Sequence, residues 1–128
     1  MKQSKHTILC VDDDKDNLDL IKFVFEQKDF EVVACDSLDE CLFQIRQNRF
    51  NAIILDNHFD DKTSLEICQE IRLYNPHTPI IFFSGEARAS EIEKALKAGG
   101  NAYLVKPNDF EKLTETVAGY IQETYSEA

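Results

Sequence analysis

Five short apolar runs constrain this chain more than any other feature, because four of them stop on a residue able to do chemistry. Ile8-Leu9-Cys10-Val11 runs into Asp12-Asp13, and Ala52-Ile53-Ile54-Leu55 into Asp56. Ile80-Ile81-Phe82-Phe83 runs into Ser84, and Tyr103-Leu104-Val105 into Lys106-Pro107. Runs this short read as strands buried on both faces of a parallel sheet. A weaker run, Glu31–Cys35, supplies the remaining strand.

Between the runs the apolar period changes to that of a helix. Leu18, Ile21, Val24 and Phe25 mark the first helix, and Leu38, Cys41, Leu42 and Ile45 the second. Leu65, Cys68 and Ile71 mark the third, and Ile92, Ala95 and Leu96 the fourth. Phe110, Leu113, Val117 and Ile121 mark the last. Ser37-Leu38-Asp39-Glu40 and Ser90-Glu91-Ile92-Glu93 both read as capping boxes. Asn75-Pro76-His77-Thr78-Pro79 is a breaker loop, Gly99-Gly100 stops the fourth helix, and Asn108 is expected to cap the fifth.

Strand and helix thus alternate five times. Right-handed crossovers place the helices on both faces of one sheet. The predicted fold is α/β, a flavodoxin-like (βα)5 doubly wound parallel sheet with strand order 2-1-3-4-5. The 128 residues suit one domain with one core. In that order the first and third strands are neighbours, and their carboxyl ends border the crevice where such folds bind ligands.

Composition removes several function classes. With 24 acidic against 14 basic residues the net charge is −10, which argues against direct nucleic-acid binding and against an anionic membrane surface. No apolar stretch approaches the ~20 residues needed to cross a bilayer, so no membrane insertion and a cytoplasmic location are expected. Cys10, Cys35, Cys41 and Cys68 lack metal-ligand spacing and read as small buried hydrophobes.

Acidity alone does not explain Asp12, Asp13 and Asp56 at adjacent strand ends. Two like charges a few ångströms apart repel by about 4 kcal/mol at an effective dielectric near 20. Either proton uptake or a divalent cation must relieve this. A cluster of hard oxygens with open positions suits Mg²⁺. A plain alternative is that Asp12–Asp14 form the acidic N-terminal region of the first helix.

The order strand-Asp-Asp, strand-Asp, strand-Ser and Tyr-x-x-Lys-Pro resembles the receiver domain of two-component response regulators, from about residue 6 to about residue 122. The resemblance implies that Asp56 is the phosphoacceptor, fed by a histidine kinase or phosphotransfer protein in the presence of Mg²⁺, with Mn²⁺ as a substitute. It implies Asp13 as direct metal ligand, Asp12 as its water-mediated companion and Asp56 as a further ligand, with His58 contributing its backbone carbonyl. Lys106 is then the phosphoryl-binding cation, Ser84 the switch hydroxyl and Tyr103 the switch aromatic, and the Lys106-Pro107 bond is cis. His58 and Glu86, two residues past acceptor and hydroxyl, are expected to orient or obstruct the hydrolytic water and so tune the phosphoryl lifetime. Asp14 is expected to be solvated near the first helix. Such a domain signals through its fourth helix, fifth strand and fifth helix to a downstream target protein, or relays the group onward, and is not a metabolic enzyme.

The loop after Asp56 departs from the family pattern. Asp60 stands where proline is common and Ser64 where glycine is. Ser64 must then adopt a glycine-like backbone, take another path or act as a helix cap. This departure keeps a phosphorylation-independent interaction module open as the alternative function. An aspartate-nucleophile phosphohydrolase is disfavoured because its second acid would stand where His58 does. A flavin domain is disfavoured because aspartates rather than a hydroxyl- or glycine-rich loop follow the first strand.

Overall fold

A computed structural model of the chain describes residues 5–59 and 62–125. The elements in chain order are β1 (His6–Val11), α1 (Lys15–Glu26), β2 (Phe30–Cys35), α2 (Leu38–Gln47) and β3 (Ala52–Leu55). Two-residue strands β4 (His58–Phe59) and β5 (Lys62–Thr63) form a small antiparallel ladder. Then come α3 (Leu65–Tyr74), β6 (Ile80–Ser84), α4 (Ala89–Lys97), β7 (Ala102–Val105) and α5 (Phe110–Tyr125). The main sheet is parallel throughout, in the order β2-β1-β3-β6-β7. Counting its own strands alone, this is 2-1-3-4-5, as the apolar rhythm predicts. Among the described residues no helix is long and apolar enough to cross a membrane.

Strand alternation divides the core in two. Leu9, Val11, Ile53, Leu55, Ile80 and Phe82 face α2, α3 and α4. Ile8, Cys10, Ala52, Ile54, Ile81 and Phe83 face α1 and α5. The same parity decides where the chemistry goes. Val11 and Leu55 are register partners on the α3 side. The next residues, Asp12 and Asp56, therefore turn toward α1.

Two asparagines start strands by the same device. Asn51 accepts from the Thr7 amide at 2.8 Å and donates its own amide to the Thr7 carbonyl at 2.8 Å. Asn101 repeats this with Ile80 at the same two distances. A side-chain oxygen thus closes the ladder one step before each strand begins, which fixes register at the end opposite the carboxyl edge.

Arg72 holds that opposite end together. Its guanidinium donates to the carbonyls of Gly99, Thr78 and Asn75 and to Asn101 Oδ1, at 2.7 to 3.2 Å. Among the described residues no carboxylate accepts from it. Burial accordingly lowers its pKa from the ordinary value. Gly99 has φ +128° beneath Arg72, a conformation that favours glycine. At Gly100 a Cβ would come within 2.6 Å of Phe82.

Several local expectations are corrected. Ser90 does not cap α4: the Glu91 and Ile92 amides both donate to the Arg88 carbonyl, so the helix begins ahead of Ser90. Asn108 does not directly precede α5. Asp109 does, and its carboxylate accepts from the Val105 amide at 2.9 Å. Ser37 does cap α2, accepting from the Glu40 amide. The four cysteines are free and buried, and burial pushes the Cys41 thiol up to about 12 and that of Cys68 to about 11.

Replacing Arg72 by methionine keeps the aliphatic stem and removes every donor. The expected cost is about 2 kcal/mol, since several half-buried acceptors lose a charged partner. A urea titration checks it: the midpoint falls while the slope stays that of the parent.

Candidate functional site

Three strand ends make the same turn. Asp12 Oδ1 accepts from the Asp14 amide at 2.9 Å, Asp56 Oδ1 from the His58 amide at 3.4 Å, and Ser84 Oγ from the Glu86 amide at 3.2 Å. Each side chain bonds the backbone two residues ahead, as short oxygen-bearing residues do in turns. The chain leaves the sheet at these points while the side chain stays over its carboxyl edge.

There the expected residues converge. Asp12, Asp13 and Asp56 bring carboxylate oxygens within 4.8 Å of one another. Asp12 and Asp56 are buried and Asp13 is exposed. Lys106, from the end of β7, places Nζ 2.6 Å from Asp12 Oδ2 and 3.2 Å from Asp56 Oδ2. Its ammonium also lies 5.8 Å from the Phe83 ring centre. The Lys106-Pro107 bond is cis. The Lys106 amide donates to the Ser84 carbonyl at 2.9 Å, joining the loops that carry the two residues.

The electrostatics follow from three carboxylates against one lysine. Burial raises the Asp56 pKa, with a further upward push from Asp12. Lys106 and the Ser84 hydroxyl pull the other way without cancelling it. Burial also opposes the charge on Lys106, but Asp12 and Asp56 outweigh it and its pKa is raised. The lysine stays protonated and cannot neutralise all three acids. Oxygen donors of this kind, with Asp13 open to solvent, fit a Mg²⁺ ion.

Asp14 is exposed and caps α1, accepting from the amides of Asp16 and Asn17. The acidic run is therefore divided: Asp14 serves the helix end and Asp12 and Asp13 face the crevice. Ser64 has φ −84° and ψ 7°, so it needs no glycine-like backbone, and its hydroxyl makes no cap. It donates instead to the Asp56 carbonyl, while its amide donates to the Asn57 carbonyl at 2.8 Å. Asp60 and Asp61 lie outside the described residues.

His58 and Glu86 meet across the mouth of the site, Nε2 to Oε1 at 3.6 Å. Glu86 also accepts both side-chain bonds of a forked Arg88 contact at 2.9 Å. Those bonds and the Arg88 amide hold its carboxyl down at about 2. Tyr103 is half-buried, stacks on Phe82 with ring centres 5.7 Å apart, and donates to the Glu86 carbonyl at 2.7 Å.

Sequence reading missed two residues. Asn17 donates to Asp12 Oδ2 at 2.6 Å, and a signal for it existed, an amide in the first turn of the helix that follows the aspartates. Asn57, directly after Asp56, is buried and donates to the Tyr103 hydroxyl at 3.2 Å. Strand parity ends at Leu55, so nothing in the pattern says which way Asn57 turns.

Comparison with known proteins adds an independent line. Residues 8–118 match the response regulator receiver domain family. The transcriptional regulatory protein ZraR of Salmonella typhimurium is 29% identical over 124 residues, 97% of this chain and 28% of that protein. The signal transduction histidine-protein kinase BarA of Escherichia coli K12 is 33% identical over 117 residues, 89% of this chain and 13% of that protein. The chain thus spans well under a third of these relatives. A two-component response regulator from Clostridium difficile superposes with a TM-score of 0.89 at 27% identity, covering 94% of this chain and 99% of that one.

Because the folded state raises the Asp56 pKa, ionising this residue costs stability. The cost is absent below its unfolded pKa and grows as pH rises through the folded one. Asp56→Asn is therefore expected to stabilise the metal-free protein at pH 7 by on the order of 1 kcal/mol, a few degrees in Tm. The gain should shrink on acidification. Mg²⁺ or Mn²⁺ should raise the Tm of the parent more than that of the variant.

Proposed function

Because the chain belongs to the response regulator receiver family, we propose that Asp56 accepts a phosphoryl group from a histidine kinase or phosphotransfer protein. The domain then signals by contact with a downstream protein. It is a signalling module and not an enzyme of metabolism. The observation that carries this reading is Lys106 Nζ bridging Asp12 and Asp56 within a cluster of three carboxylates.

In the transfer, an Asp56 oxygen attacks the phosphorus of a phosphohistidine. The P–N bond breaks, its electron pair leaves with the imidazole nitrogen, and a P–O bond to Asp56 forms. Asp12, Asp13, Asp56 and the His58 carbonyl would hold a Mg²⁺ ion, which would supply positive charge to the phosphoryl oxygens. Lys106 already touches Asp56, so it meets a phosphoryl oxygen there with little movement. Ser84 donates its hydroxyl to another oxygen. In the separate hydrolytic step a water oxygen attacks phosphorus, the P–O bond to Asp56 breaks with its electron pair returning to the carboxylate, and inorganic phosphate leaves carrying the water oxygen.

Ser84 carries the signal outward. Its hydroxyl at rest accepts from the Glu86 amide. Drawing it toward a phosphoryl oxygen moves the loop whose Glu86 carbonyl receives the Tyr103 hydroxyl. Tyr103 lies on β7, between α4 and α5, so the response appears on that face.

His58 and Glu86 act on lifetime. Paired across the mouth of the site, they obstruct the path of the attacking water.

Incubation with a small phosphodonor and Mg²⁺ is expected to add one phosphoryl mass increment, absent without Mg²⁺ and absent in Asp56→Asn. No increment in the parent would instead favour the phosphorylation-independent module. His58→Ala and Glu86→Ala should dephosphorylate about threefold faster or more, a barrier change of roughly 0.7 kcal/mol. Rates equal to the parent would remove the obstruction idea.

A further inference from the structure

The phosphoryl chemistry leaves one partly buried bond unused. Asn57 is 2% exposed, and its side-chain amide donates to the Tyr103 hydroxyl at 3.2 Å. That hydroxyl donates in turn to the Glu86 carbonyl at 2.7 Å. One oxygen therefore joins the loop carrying the acceptor to the loop carrying Ser84. The Asn57 backbone is also tied down, since its carbonyl accepts from the Ser64 amide at 2.8 Å. The Tyr103 ring lies nearly parallel to Phe82, 13° between planes. Asp12 and Lys106 take no part in these contacts.

Resting on the reading of Asp56 as acceptor and Tyr103 as the responding aromatic, we propose that Asn57 is a positioning residue. It holds Tyr103 turned inward before any phosphoryl group arrives. An apolar side chain after Asp56 would be indifferent to the tyrosine. A buried amide is not: if the ring swings outward, Asn57 keeps a donor in a place water does not reach, and an unpaired buried donor is costly. The face formed by α4, β7 and α5 thus rests mainly in the inward arrangement. Phosphorylation shifts an equilibrium only by its preference for one state, so a resting population already inward leaves less to shift.

The test uses the whole chain labelled with 3-fluorotyrosine, with Tyr103→Phe identifying the Tyr103 fluorine signal among the four tyrosines. Beryllofluoride with Mg²⁺ serves as the phosphoryl mimic. In the parent the Tyr103 signal should move little when the mimic is added. In Asn57→Leu the resting signal should move toward its solvent-exposed position, the inward-to-outward ratio falling about tenfold, the scale set by an unpaired buried donor. The mimic should then restore it. Asn57→Ala repeats the measurement without added bulk. Unchanged resting signals in both variants, with α4 and α5 amides still responding to the mimic in the parent, overturn the role of Asn57 and leave the receiver reading intact. No response to the mimic near Asp56 in any of the proteins overturns the receiver reading, and this proposal falls with it.

Discussion

Crowding of negative charge at the carboxyl edge of the sheet governs the rest of this molecule. Asp12 and Asp56 emerge from neighbouring strands at matched register, so the backbone ladder itself forces them together. One lysine lies between them and Asp13 adds a third acid at the rim. Burial makes the carboxylate charge costly, while Asp12 and Asp56 keep the lysine protonated against its own burial. The result is a pocket with a standing demand for positive charge, suited to a dication and then to a phosphoryl group beside it. A pocket of this kind is stable only if the surrounding frame resists the repulsion.

That frame is anchored at the far end of the sheet. Asn51 and Asn101 fix the starting register of adjacent strands, and Arg72 ties α3, the loop before β6 and the turn before β7 through neutral carbonyls. Arginine is a natural choice here: its fork satisfies several carbonyls at once where a lysine would not. Charge is thus dispersed at one end and concentrated at the other. The sheet between them is apolar on both faces. Loops at the concentrated end are linked by polar contacts and not by a hydrophobic core, namely His58 with Glu86 and Asn57 with Tyr103. Contacts of that type can be exchanged for others when charge is added, which suits a signalling surface.

The fold was legible because buried parallel strands leave continuous apolar runs and surface helices leave a 3.6 period, and both signals are local. Asp12, Asp13, Asp56, Ser84 and Lys106 were legible because each ends such a run, and strand order then brings the ends together. Capping was less legible. Ser37 caps as expected, but α4 begins ahead of Ser90, and Asp109 rather than Asn108 directly precedes α5. Residue type supplies a capacity for capping, and which residue uses it depends on where the loop leaves the sheet. Ser64 makes the same point: it has no glycine-like backbone, and its hydroxyl, at the start of α3, bonds the carbonyl of Asp56 eight residues back instead of a helix amide.

By itself the sequence determined the class of fold, the strand order and the set of residues at the carboxyl edge. These depend on periodicity and on the rule that parallel strands point their ends the same way. Only tertiary structure decided the contacts that cross between loops: Asn17 on Asp12, Asn57 on Tyr103, Tyr103 on the Glu86 carbonyl, and Arg72 on Gly99. The physical reason is one of range. Periodic burial repeats every two or 3.6 residues and is written into neighbours along the chain. A hydrogen bond between two loops depends on distance and angle set by the whole sheet, and no local pattern records it.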